Sequence, residues 1–150
     1  MNIADWRPHV VGVTANSPVY PLSVQIADMV KRIAPDTTVV LGGCHPTLYP
    51  TRAIKKASVD AVVVGEGEHA MTEICTALAG GKDLSGIAGI VHKSTGAVVQ
   101  EAPRPFVKDL DVLPPPAFDL LPMKKYRISL GMAPHRRAIS GATPSSWLDP

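Results

Sequence analysis

The residues of this chain whose types and spacing could do chemistry sit at two abrupt stops. Val39-Val40-Leu41 runs into Gly42-Gly43-Cys44-His45, and Ala61-Val62-Val63-Val64 runs into Gly65-Glu66-Gly67-Glu68. An aliphatic, β-branched run that stops at glycine reads as a buried parallel strand opening into a loop at its carboxyl end. In α/β folds, that is where ligands bind. A glycine pair there lets something bulky approach the backbone, because each missing Cβ frees space and positive φ becomes accessible; the same pair also makes a tight strand-to-helix turn. Gly65-Glu66-Gly67 could cradle a phosphate, but Gly65-x-Gly67-x-x-Ala70 is a poor dinucleotide fingerprint and follows the last strand of the series, which argues against a nicotinamide site. His45 is a polar loop residue that could approach a ligand or simply be hydrogen-bonded. Thr14, at the end of an earlier strand, could cap its loop. Glu66 and Glu68 open a helix, where carboxylates serve the helix dipole. They point apart, and no acid, base and nucleophile constellation occurs among these residues.

The elements that must position these residues follow from periodicity. His9 to Thr14 reads as a strand that looks fully buried, and Tyr20 to Ala34 reads as a helix with Leu22, Ile26, Met29 and Ile33 on its inner face. Pro21 suits its first turn, and Pro35-Asp36 ends it. A strand over 38–41, a short helix over 50–57 and a strand over 60–64 come next. A helix over 68–79 turns Met71, Ile74, Cys75 and Leu78 inward and closes at Gly80-Gly81. Alternation of strand and helix forces parallel pairing. Gly89 to Lys93 and Ala97 to Gln100 flank Ser94-Thr95-Gly96, a hairpin signal. The stretch 102–122 holds six prolines and reads as an extended arm. No period is visible after Tyr126, and residues 140–150 read as loop or disorder. The expected class is α/β, a flavodoxin-like (Rossmann-like) parallel sheet incomplete on its N-terminal side, with a C-terminal β-hairpin and a Pro-rich arm. If Val10 to Val13 is a central strand, one of its edges needs a neighbour that the sequence does not contain.

The 150 residues allow one domain with a real core, and 45% hydrophobic with 19% charged residues is an ordinary globular balance. A net charge of +2, with basic residues only in small groups at Lys55-Lys56, Lys124-Lys125-Tyr126-Arg127 and His135-Arg136-Arg137, argues against nucleic acid. No run is long enough to span a membrane and no signal-peptide pattern opens the chain, so a cytoplasmic protein is expected. Cys44 and Cys75 form no zinc-ligand pattern and are expected as packed thiols.

Taken together, Val10-Val11-Gly12-Val13-Thr14, Pro35-Asp36 with Val39 to Gly43 and His45, Asp60 with Val64 to Glu68, Gly81-Lys82-Asp83-Leu84, Ile87 to Ile90 and the stretch Asp109 to Pro122 resemble one family. It is the amino-terminal cobalamin-binding domain of cobalamin-dependent radical SAM enzymes, in the group that includes the anaerobic magnesium-protoporphyrin monomethyl ester cyclase. The resemblance covers residues 8 to 127. It implies a truncated cobalamin-binding domain over 8–101, a linker toward a radical SAM domain over 102–127, and an irregular tail over 128–150 with the radical SAM domain absent. It implies that the chain supplies the third to fifth strands of a five-stranded sheet. It also implies a slot for the cofactor's nucleotide tail, with Thr14 in the hydroxyl position, Gly42 and Gly43 in the glycine positions, Gly65, Glu66 and Gly67 in the neighbouring loop, and His45 near the corrin. The implied partner is a corrinoid, with a radical SAM domain normally in the same chain. S-adenosylmethionine and an iron–sulfur cluster belong only to a full-length form, since no cysteine follows Cys75. A gene fragment or frameshifted reading, with family sequence ending near residue 130, is expected. Two further readings stand beside this one: a flavodoxin-like interaction domain without cofactor, self-associating through its exposed first strand, and an inactive remnant.

Overall fold

In a computed structural model of the chain, the structure describes residues 3–122. Residues 109–122 form part of a separate compact unit. They carry two single-turn 3-10 helices, Leu110–Val112, capped by the Asp109 carboxylate on the Asp111 N–H, and Phe118–Leu120. The expected tail over 128–150 and the basic groups after Lys124 lie outside the described residues.

The first unit is a five-stranded sheet flanked by helices. After a short helix α1 (Ile3–Trp6) come β1 (Val10–Thr14), α2 (Tyr20–Ile33), β2 (Thr38–Gly42), α3 (Cys44–Leu48), α4 (Pro50–Ile54), β3 (Ala61–Val63), α5 (Glu68–Ala79), β4 (Ile90–Ser94) and β5 (Ala97–Gln100). The sheet order is β1-β2-β3-β4-β5. The first three strands pair in parallel, as the strand–helix alternation requires, with Thr14 opposite Gly42 and Val40 opposite Ala61. The hairpin continues this sheet, because β4 runs antiparallel along β3 and β5 along β4. Its turn has Thr95 and Gly96 both at positive φ, the two-residue type that matches strand twist.

Alternate residues of each strand face opposite layers. Val39, Leu41, Val62 and Val91 bury one face under α2 and α4, together with Ala27, Val30 and Ile54. Val40, Ala61, Val63 and Ile90 bury the other under α5, with Ala70, Ile74, Leu84 and Ile87. Each fully buried Ile or Leu contributes about 1.5–3 kcal/mol of transfer free energy. Asp60 ties the layers at the amino ends of the strands: its Oδ2 accepts from the Val39 N–H at 2.7 Å and from Lys31 Nζ at 2.7 Å. At its far end α5 closes with Gly81 at positive φ and the Lys82 N–H bonded to the Ala77 carbonyl.

Four expectations are corrected. The buried face of α2 is Tyr20, Ser23, Ala27 and Val30, and the apolar stripe Leu22, Ile26, Met29 and Ile33 is exposed. Small residues win the inner face because α2 lies close on the sheet, where Ala27 is fully buried. Cys75 and Cys44 are both exposed rather than packed; Ile74 takes the inward position on α5. β1 is half-exposed, an edge strand among the described residues. The region after Gly43, expected as loop, folds into α3.

Candidate ligand slot at the carboxyl end of the sheet

Side-chain parity places the slot. Val40 faces α5, so Gly42, two residues on, shares that face, and its register partner Thr14 lies beside it with Gly12 two residues before. A Cβ built on Gly12 would meet Met71 Cε of α5 at 3.7 Å, one on Gly42 would meet Val63 Cβ at 3.9 Å, and one on Gly67 would meet Val63 Cγ1 at 3.7 Å. These are ordinary contacts, and none of the three glycines has positive φ. Nothing in the chain's own packing or backbone demands glycine there. A glycine inside a strand costs about 0.5–1 kcal/mol relative to alanine. The three missing side chains instead leave a shallow cradle over the ends of β1 and β2, walled by Met71 and floored by Val63.

Gly43 has a different reason. Its φ is +95°, and a Cβ on it would lie 2.7 Å from Thr14 Oγ1 and 2.8 Å from the Ala15 carbonyl oxygen. The loops after β1 and β2 are sewn together at this point by Ala15 N–H to Gly42 O at 2.8 Å and His45 N–H to Ala15 O at 3.1 Å. Glycine at 43 therefore closes one rim of the cradle.

His45 sits away from the slot, on the α2 side. Its ring stacks on Tyr20 with centroids 4.0 Å apart and tilts against Tyr49 at 5.1 Å. Its Nδ1 lies 3.1 Å from Ser17 Oγ, and its Nε2 is buried without a hydrogen-bond partner, as is the Tyr20 hydroxyl. Burial pushes the Tyr20 phenol above its ordinary pKa, against a smaller opposing effect of Arg52.

The loop after β3 divides its residues between uses. Gly65 donates its N–H to Thr47 Oγ1 at 3.0 Å, and at φ +84° it faces open space. It borders a pocket of about 200 Å³ on the hairpin side, lined by Val64, Gly89, Glu101, Arg104 and Phe106 among others. Glu66 Oε2 accepts from the Val107 N–H at 2.7 Å. Arg104 pairs with Glu73 of α5 and donates to the Ala88 carbonyl at 3.1 Å. The segment 102–108 is thereby strapped along this side of the first unit. Among the described residues no group of His, Cys, Asp and Glu is arranged to hold a metal ion.

Residues 2–75, the part of the chain that builds this slot, match the family model for the B12 binding domain. The segment is a B12-binding domain. The chain is 39% identical over 126 residues to an uncharacterized methyltransferase of Pyrococcus horikoshii, covering 83% of this chain and 28% of that protein. It is 33% identical over 129 residues to the anaerobic magnesium-protoporphyrin IX monomethyl ester cyclase of Rubrivivax gelatinosus, covering 83% of this chain and 23% of that one. It thus spans about a quarter of the length of these curated relatives. Among solved structures, the radical S-adenosylmethionine methyltransferase TsrM from Kitasatospora setae, with cobalamin and a 4Fe-4S cluster bound, superposes with a TM-score of 0.58 at 25% identity, over 68% of this chain and 20% of that one. The cobalamin-dependent radical enzyme OxsB, with aqua-cobalamin and S-adenosylmethionine bound, gives 0.59 at 18% identity, over 69% and 15%, and shows the same fold. The expected α/β class and the resemblance to cobalamin-binding modules of radical SAM enzymes stand.

Within the B12-binding domain, the structure brings Thr14, Gly42, Gly43 and Gly67 to one end of the α5 face. It sets His45, Gly65 and Glu66 outside that cradle. Gly12 and Met71 also border this cradle without having been singled out for it, although strand parity signals Gly12, which precedes Thr14 by two and shares its face. Met71 gave only a core signal. No helix among the described residues is long and apolar enough to cross a membrane.

Proposed function

We propose that the chain holds a corrinoid, with the flat nucleotide base of cobalamin inserted between α5 and the ends of β1 and β2. The observation that carries this reading is Gly42: a strand glycine with ordinary φ and free space, beside Thr14, whose absent side chain serves nothing in the chain itself. Thr14 offers a hydroxyl at the rim, Gly12, Gly42 and Gly67 let a planar ring lie against backbone, and Met71 and Val63 supply apolar contact on its faces. Gly43 fixes the rim. Gly65 and Glu66 set the position of the loop that carries Gly67, Glu66 by holding Val107. His45 contributes from behind, through the Tyr20 stack that supports the same pair of loops. The corrinoid supplies the cobalt chemistry, and these residues supply position and shelter from solvent.

The relatives are three or more times as long and include radical SAM enzymes, so we place this domain as the cofactor-carrying part of such an enzyme, with S-adenosylmethionine and the iron–sulfur cluster bound elsewhere. Gel filtration of the chain mixed with hydroxocobalamin tests the reading. Visible absorbance should co-elute with the protein, and Thr14→Val should weaken retention several-fold. A folded chain that elutes free of corrinoid would remove it.

A further inference from the structure

We propose that the pocket on the hairpin side of the first unit is a second subsite for the corrinoid, in which Glu101 Oε2 accepts from a primary carboxamide of the corrin rim and the Thr47 hydroxyl donates to that amide's carbonyl. This subsite presupposes that the slot holds a corrinoid, and it adds a selectivity for the corrin rim. The pocket has a volume of about 200 Å³. Val64 at the end of β3, Gly89 and Ile90 at the start of β4, and Glu101 after β5 line it. Because β4 runs antiparallel to β3, all of these lie at the end of the sheet where β1 and β2 also finish.

Two polar groups in its wall have hydrogen-bonding capacity left over. The Glu101 side chain is 17% exposed, and both of its contacts, the Gly86 N–H at 3.0 Å and His92 Nε2 at 3.1 Å, fall on Oε1. No hydrogen bond among the described residues reaches Oε2. The Gly86 bond first, and His92 second, hold the carboxyl below its ordinary pKa, so at neutral pH it only accepts. Thr47 Oγ1 accepts from the Gly65 N–H at 3.0 Å, and its own O–H finds no acceptor among the described residues. That leaves one donor. The rest of the wall is apolar, as at Val64, Ile90 and Pro103, or already paired: Arg104 bonds Glu73 and donates from Nε to the Ala88 carbonyl. One acceptor and one donor in an apolar pocket complement a primary carboxamide, which donates through its nitrogen and accepts through its oxygen. A carboxylate has no hydrogen for Glu101 and brings a like charge to it.

The neighbouring slot decides whose amide enters. Leu41 pairs with Val62, so Gly42 lies beside Val63, and the Val64 N–H bonds to the Gly89 carbonyl of the next strand at 2.8 Å. With strands about 4.8 Å apart, the pocket begins within about 10 Å of Gly42. A single loop separates the two sites. Gly67 borders the slot, and Gly65, two residues earlier, borders the pocket, where an added Cβ would meet nothing within 4 Å. Cobalamin carries primary acetamide and propionamide arms around its macrocycle, and with the nucleotide base in the slot an arm reaching across the end of β3 enters the pocket. Phe106 of the strap, 76% exposed, supplies an apolar wall for that arm to cover.

Titration of the full chain with hydroxocobalamin and with its isomeric monocarboxylic acids, in each of which one rim propionamide is hydrolysed, tests the subsite, with circular dichroism recorded on every protein. Hydroxocobalamin should bind, and one isomer should bind about tenfold more weakly, because its carboxylate would face Glu101. Glu101→Gln, which donates as well as accepts, should bring that isomer to within about threefold of hydroxocobalamin. The ratio is taken on one protein, so a change in stability alone does not move it. Phe106→Ser, at an exposed position, should keep the fold and weaken hydroxocobalamin several-fold. Equal binding of hydroxocobalamin and every isomer by the parent chain, a discrimination that Glu101→Gln leaves intact, or a Phe106→Ser chain that binds as tightly as the parent would overturn the subsite while the slot stands. A folded parent chain that binds no corrinoid would overturn both.

Discussion

Two adjacent glycines at the end of β2 do different work, and substitution separates them. At Gly42 an added Cβ meets only Val63 Cβ at 3.9 Å, and Gly42→Val should fold with stability within about 1 kcal/mol of the parent, because valine suits a strand. At Gly43 positive φ and the 2.7 Å approach to Thr14 combine, and Gly43→Ala should cost about 1–3 kcal/mol in chemical denaturation. Only the first variant reports on the slot, since loss of binding by the second would follow from distorted loops. Asp60 gives a third residue-level test. Asp60→Ala strips partners from the Val39 N–H and Lys31 Nζ together and should cost about 1–3 kcal/mol, more than Asp60→Asn, which keeps an acceptor.

At the scale of elements, the hairpin is held by a polar contact inside an apolar sheet. His92 is buried on β4, and its Nε2 lies 3.1 Å from Glu101 Oε1, which also accepts from the Gly86 N–H. The Gly86 bond first, and His92 second, hold the Glu101 carboxyl below its ordinary pKa. A carboxylate with a depressed folded pKa adds stability above its unfolded pKa, and that stability is lost as pH falls through the folded value. Thermal melts should therefore fall on acidification below the ordinary glutamate range, and Glu101→Gln should flatten that fall. The strap over 102–108 makes a similar test: Glu66→Ala should speed amide exchange at Val107 while β2 and β3 keep their protection. The sequence made the hairpin, the parallel strands and both long helices legible, because each rests on local period and glycine punctuation. It misread the inner face of α2, since a 3.6 period marks an apolar stripe without saying what covers it. The better signal was Ser23 and Ala27, small residues spaced as a close-packed helix needs. It also missed α3, a five-residue helix held by its neighbours rather than by its own composition.

At the scale of the molecule, the three parallel strands open their carboxyl ends on one side of the first unit, and the candidate slot lies there. Half of the candidate site was readable, because Thr14 and the glycine pair announce a strand end. The other half comes from the opposite layer, since Met71 and Gly12 meet only when α5 lies over β1, which no local pattern displays. The most direct measurement is a visible-spectrum titration of the full chain and of Gly42→Val with hydroxocobalamin, with circular dichroism recorded on both. The account predicts saturable binding by the parent chain and at least about tenfold weaker binding by an equally folded Gly42→Val. A folded parent chain that binds no corrinoid, or a variant that binds as tightly as the parent, would contradict it.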